Sequence, residues 1–238
     1  PPPARATDRA AGRDRLRCSG LFPLKDNIPT DRFPIVTVAL IAANVFAYVF
    51  LQGGGWSIDD PYAGDWSLAG EAAFPCDLSG QCPPGALPQD HVGPILSVFT
   101  AMFMHGSLLH LGGNMLFLWI FGNNVEDSMG RLTYLAFYLL GGAAAMVAQT
   151  FVDPDAAVPT VGASGAVSAV LGGYLLLYPG ARVVTVVFIV IFFTLIELPA
   201  VFVLVLWFAQ QLFFGAMDYT TGGADGGVAY WAHIGGFV

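Results

Sequence analysis

Five stretches of this chain, 33–58, 91–125, 132–152, 156–181 and 198–217, carry no Asp, Glu, Lys or Arg, and a sixth runs from 226 to the end. A helix that crosses a bilayer needs roughly 20 apolar residues. These stretches predict spans near 34–52, 106–125, 132–152, 161–178, 197–215 and from 228 onward. The composition agrees. Hydrophobic residues make up 55% of the 238 and charged residues 11%, against about 25% charged in a soluble domain. That balance excludes a disordered chain and most soluble enzymes. A formal net charge of -8 argues against nucleic acid as a partner, because phosphate binding needs clustered Lys and Arg. The 29 glycines follow no G-X-Y period and suit close helix packing in a bilayer. The expected fold class is an all-α polytopic membrane protein with six transmembrane helices.

The charges set a topology. Arg5, Arg9, Arg13, Arg15, Arg17, Lys25 and Arg32 precede the first apolar run, and the two remaining basic residues are Arg131 and Arg182. With the N-terminus in the cytoplasm, alternation puts 53–105, 153–160 and 216–227 outside, and 126–131 and 179–196 inside. All nine basic residues then lie on the cytoplasmic side. The outside loops carry only acidic charges, among them Asp59, Asp77, Asp153 and Asp225. This satisfies the positive-inside rule.

Several segments have their own expectations. Residues 1–32 are mostly polar, lack a signal-peptide layout, and predict a flexible cytoplasmic tail ahead of a membrane domain over 33–238. Residues 183–196 are apolar and rich in β-branched side chains. As a helix they would rise only about 21 Å, too short to span, and so read as an interfacial or re-entrant lead into the fifth span. The last span has few residues before Val238, so the chain is expected to stop inside its final helix. Cys76 and Cys82 share the large outside loop, where an oxidising compartment allows a disulfide. Cys18 falls in the tail and reads as free.

Polar side chains within a span mark function by default. His105, His110 and Asn114 lie in or at the edge of the second span, Ser164 in the fourth and His233 in the sixth. Topology puts His110, Asn114, Ser164 and His233 at one level, within roughly 10 Å of the outer face at 1.5 Å per residue. A Ser hydroxyl becomes a nucleophile when a base takes its proton, and His is the usual base. The oxyanion that follows needs fixed donors. Asn114, the His110 ring and the Ser164 backbone N–H can supply them. His110 and Asn114 are four residues apart and share a helix face. Gly162 and Gly165 flank Ser164 and would leave the backbone bare for an approaching peptide. No carboxylate lies at that depth, which favours a Ser–His dyad over a triad. The bland alternatives are helix packing for Ser164, an interfacial role for His233 near Trp231, and structural hydrogen bonding for His110 and Asn114. His105 and Glu126 read as structural.

These residues resemble the rhomboid family of intramembrane serine proteases. The matching pieces are His110-x-x-x-Asn114, Gly162-Ala163-Ser164-Gly165 and Ala232-His233-x-Gly235-Gly236, in the family's order and spacing. The resemblance implies Ser164 as nucleophile, His233 as general base, and His110, Asn114 and the Ser164 N–H as the oxyanion site. It implies transmembrane protein substrates, cut near the outer leaflet, with the fifth span as a mobile gate. Residues 92–104 would lie partly in the outer leaflet, and Glu126 would play a structural role. A compact six-span core resembles bacterial members and implies the inner membrane. Two features depart from the family. The first outside loop has no Trp-Arg pair, and Ser168 stands four after the nucleophile where Tyr often packs on the catalytic His. Two other functions stay open, a non-catalytic relative that binds transmembrane segments and a small transporter or channel. No cofactor or metal is indicated, since Cys and His lack zinc-binding spacing. Oligomeric state is not legible.

Overall fold

The structure, a computed structural model, describes residues 25–53, 70–189, 192–221 and 228–238. The chain starts with a short strand, β1 (Lys25–Asp26). Helix α1 (Ile35–Phe46) follows and continues as one π-turn over Ala47–Leu51. The segment after α1 contains α2 (Pro75–Ser79) and α3 (Pro94–Thr100), the latter ending in a 3-10 turn at Ala101–Phe103. Then come α4 (Leu108–Met129), α5 (Arg131–Val152) and α6 (Ser164–Leu177). Strands β2 (Arg182–Ile189) and β3 (Phe192–Pro199) lead into α7 (Ala200–Thr221), and α8 (Tyr230–Phe237) ends the chain.

Helices thus occupy each of the six stretches free of charge. Two of them, Arg131–Val152 and Ala200–Thr220, are long and apolar enough to cross a membrane alone. Pro94–Phe103 with Leu108–Met129 would make a third, but the pair is bent by 84°. The apolar helix over Ile35–Leu51 and α6 are shorter. The protein is mostly helical, with apolar candidate spans, and is an integral membrane protein. Leu132, Phe151 and Leu176 are more than four-fifths exposed, as expected of side chains that face hydrocarbon rather than water.

Helix α6 is the hub. It packs on α4, α5 and α8, while α7 lies outside and leans mainly on α8. The centre is filled by Leu118, Phe121, Tyr134, Tyr138, Val170 and Tyr174, all fully buried. Small residues let the backbones approach. A Cβ on Gly236 of α8 would sit 2.2 Å from the Gly165 carbonyl oxygen of α6. In a bilayer this contact replaces the hydrophobic drive that a soluble core would use.

The expectation of an all-helical chain fails at 182–199. Residues 182–189 and 192–199 instead form antiparallel strands, in register from Arg182↔Pro199 to Ile189↔Phe192. The physical reason lies in the residue types. Val, Thr, Ile and Phe lose side-chain freedom in a helix and pack well on a pleated surface. Strand β1 adds to the hairpin, pairing Lys25 with Val184 and Asp26 with Val183. Residues 25–32, assigned from sequence to the flexible tail, are therefore anchored at their start. The expectations for residues 1–24, with Cys18, and for 54–69 lie outside the described residues.

Glu126, near the C-terminal end of α4, is buried and caps α1. Its carboxylate accepts from the backbone N–H groups of Val36 (2.9 Å) and Thr37 (2.8 Å) and from the Thr37 hydroxyl (2.8 Å). The first turn of a helix has N–H groups with no partner of their own, and a negative charge suits that end. Pro34 ahead of α1 offers no side-chain cap, so the acid reaches over from another helix.

Candidate active site

Ser164 opens α6. The loop before it is held on three sides. Ala73 and Thr160 exchange two backbone hydrogen bonds, of 3.1 and 2.8 Å. Cys76 N–H donates to the Ala156 carbonyl at 3.1 Å, and Cys76 is disulfide-bonded to Cys82. Gly162 N–H donates to the Ala101 carbonyl at 2.9 Å. The first intrahelical bond of α6 runs from Val167 N–H to the Ala163 carbonyl. The N–H groups of Ser164, Gly165 and Ala166 thus face the helix start without intrahelical partners, a natural place for an anion.

His110 comes to this loop from the first turn of α4. The Ser107 hydroxyl caps that helix by accepting from the His110 N–H at 3.1 Å. The Gly106 N–H points at His110 Nδ1 from 3.5 Å. With Nδ1 as acceptor, the proton sits on Nε2. That nitrogen lies beside Gly162. A Cβ on Gly162 would be 2.8 Å from His110 Nε2 and 3.6 Å from Ser164 Oγ. The imidazole and the hydroxyl therefore flank the same glycine, whose φ of +125° suits no L side chain.

Asn114 is buried one turn further along α4. Its amide donates to the His110 carbonyl at 3.0 Å, which leaves a second amide hydrogen.

His233 arrives on α8. The Gln149 side chain of α5 accepts from the Ala232 N–H at 3.1 Å and pins the first turn of that helix. Close packing of Gly236 on Gly165 and Ser168 sets α8 against the start of α6. His110 and His233 are within electrostatic range of each other. His233 Nδ1 is 2.9 Å from Gln211 Oε1. Among the described residues, no hydrogen bond joins Ser164 Oγ to the His233 ring. Such contacts often tighten only with substrate bound.

The structure adds to two expectations. Gly165 serves helix packing. A Cβ there would be 2.6 Å from Ala145 Cβ, so Gly165 lets α6 approach α5. Ser168, in the place where the family often has Tyr, turns its hydroxyl back to the Ser164 carbonyl at 2.6 Å. The aromatic neighbour of His233 is instead Trp207 of α7, with ring centres 6.0 Å apart.

Four residues at the site were not singled out from sequence or were set aside. Gln211 and Gln149 hold His233 and its helix. Gln52 brackets the backbone of His105, with bonds of 2.9 and 3.1 Å to its N–H and carbonyl. His105, read as structural, is 2% exposed and stands edge-on to the His110 ring at 5.2 Å. Its Nε2 faces the Ala163 N–H at 3.5 Å, so it backs both the His110 ring and the loop ahead of Ser164. The glutamines were visible as polar residues within apolar stretches, but only the fold pairs them with their targets.

Comparison with known proteins bears on this geometry. The chain is 32% identical over 106 residues to rhomboid protein 1, mitochondrial, of Saccharomyces cerevisiae, a match covering 43% of the chain and 31% of that protein. It is 33% identical over 101 residues to presenilin-associated rhomboid-like protein A, mitochondrial, of Danio rerio (42% and 26%). It is 44% identical over 68 residues to rhomboid-like protein 11, chloroplastic, of Arabidopsis thaliana (29% and 24%). The matched part spans a third or less of each relative. These names place the relatives in organelles, whereas the compact core suggested a bacterial inner membrane. The model of the Rhomboid domain matches residues 93–238, from α3 through α8, and the chain belongs to the rhomboid family.

Proposed function

We propose that this protein is an intramembrane serine endopeptidase that cuts transmembrane protein substrates near the outer leaflet. The observation that carries the reading is the meeting of His110 and Ser164 Oγ across Gly162, at the open N-terminus of α6. In the first step Ser164 Oγ attacks the scissile carbonyl and His233 Nε2 takes the hydroxyl proton. Charge on the carbonyl oxygen falls to the Ser164 N–H, His110 Nε2–H and the second amide hydrogen of Asn114. The C–N bond breaks as His233 returns the proton to the leaving amine. Water, deprotonated by the same imidazole, then hydrolyses the acyl-enzyme and restores Ser164.

The same reading has six spans, with the N-terminus and all basic residues on one side of the membrane and the disulfide loop on the other. Helix α3, bent sharply from α4 and bearing exposed Ile95 and Leu96, suits a place in the outer leaflet. The positive-inside pattern and the disulfide fit a bacterial inner membrane. The test is reconstitution in liposomes with tagged single-span proteins that carry small residues near the outer end of the span. Cleavage that disappears in Ser164→Ala supports the proposal. Binding of spans with no cleavage under any condition would identify a non-catalytic relative instead.

A further inference from the structure

We infer that α7 orients the general base, through Gln211 and Trp207, and so performs the task that the family's Tyr at position 168 would otherwise perform. The inference rests on the proposed dyad and deepens it.

Gln211 is 6% exposed, within a helix whose neighbouring side chains are largely apolar. A buried amide persists there only if its polar atoms find partners. Its Nε2 donates to the Trp207 carbonyl one turn back at 3.4 Å. That bond fixes which end of the amide is which, so Oε1 is the atom 2.9 Å from His233 Nδ1. An amide oxygen can only accept. Nδ1 therefore carries the proton, and Nε2 is left with its lone pair free for the Ser164 hydroxyl. A carboxylate does this in triad enzymes and also stabilises the imidazolium. A neutral amide fixes the tautomer without adding a buried charge inside the membrane, where an isolated carboxylate is costly.

Trp207 adds the steric half. Its ring lies 6.0 Å from the imidazole and tilted by 33°, and it also packs on Phe237 at 5.8 Å. Ser168 cannot reach over the ring, because its hydroxyl is bound to the Ser164 carbonyl. Both restraints on His233 thus come from α7, a helix that leans chiefly on α8. Any displacement of α7 away from α8 would take the acceptor and the packing from the base together. Gln211 is a positioning residue, since it acts on the substrate only through His233.

The test uses the full chain in micelles, 15N-labelled at histidine, with His233 assigned by the signal lost in His233→Asn. The nitrogen shifts report which ring nitrogen holds the proton. The expected wild-type state is Nδ1–H. Gln211→Met keeps the length of the side chain but removes the acceptor, and is expected to mix or reverse the tautomer. Gln211→Glu keeps an oxygen at the same reach and is expected to retain Nδ1–H. With a fluorophosphonate, Gln211→Met should lower the maximal rate of Ser164 modification about tenfold and leave the half-saturating concentration unchanged, and Gln211→Glu should recover most of it. An Nε2–H tautomer in the wild type, or a tautomer and a rate unmoved by Gln211→Met, would overturn the inference. The nitrogen shifts need no catalysis. A wild type that holds Nδ1–H through Gln211 yet never reacts at Ser164 would defeat the protease reading and leave the orienting role standing.

Discussion

At Gly162 a single hydrogen in place of a side chain decides whether two groups can meet. Any Cβ there would enter the His110 ring, at 2.6 Å from Cε1, and would have to adopt a φ of +125°. Gly162→Ala is expected to slow fluorophosphonate labelling of Ser164 about a hundredfold, since a shift of about 1 Å at a reacting group costs that much. The variant should still fold, because the loop is exposed to strain of only about 1–3 kcal/mol; thermal unfolding in detergent checks the second point and labelling kinetics the first. Ser164, His233, His110 and Asn114 stand out in sequence as candidates because a polar atom in an apolar run has few innocent uses. The orienting residues were less legible. Gln211 is 22 positions from His233 and Gln149 is 83 from Ala232, and spacing alone cannot pair residues on different helices. The packing of Gly165 on Ala145 was hidden for the same reason, because periodicity gives the face of a helix but not the neighbour it meets.

Between elements, individual contacts hold one helix start or loop against another. Glu126→Ala would strip the N-terminal cap of α1 and leave the Val36 and Thr37 N–H groups without their partner. A loss of about 1–3 kcal/mol is expected, read as a lower unfolding temperature in detergent, and Glu126→Gln should recover part of it. The disulfide loop grips the segment ahead of Ser164 through the bonds of Cys76 to Ala156 and of Ala73 to Thr160. Replacing both cysteines by Ser is expected to cost about 2 kcal/mol and to raise amide exchange over 154–162 more than in α4 or α5. The mostly helical fold was legible because charges interrupt a membrane sequence chiefly at loops. The hairpin was not. A short apolar run rich in Val and Ile fits a buried helix segment or a strand equally by pattern, and only the pairing of β2 with β3 and β1 shows which.

Across the molecule, the end of the bundle that carries β1 closes on one carboxyl group. Asp26 of β1 accepts from the Tyr174 hydroxyl at 2.6 Å and from the Asn124 amide, joining the strand to α6 and α4. Burial pushes this carboxyl above the usual carboxylate range, against the opposing pull of the Tyr174 hydrogen bond. The sign follows. The folded chain holds the Asp26 proton more firmly than the unfolded chain does. Its contribution to stability is therefore full below the ordinary carboxylate pKa and declines as pH rises through the folded value. Asp26→Asn removes that decline, so the variant should gain on the wild type as pH rises from about 4 to about 8, measured by thermal unfolding. A gain that shrinks with rising pH would show that the hydrogen bonds outweigh burial.

The central claim is that Ser164 is activated by His233 within the bilayer, and one measurement meets it directly. The protein in liposomes is treated with a fluorophosphonate and the adduct is mapped by peptide mass. The account predicts one modified residue, Ser164, with labelling lost in His233→Ala and strongly reduced in His110→Ala. A folded protein that stays unlabelled, or one labelled at Ser164 as fast without His233 as with it, would contradict the account.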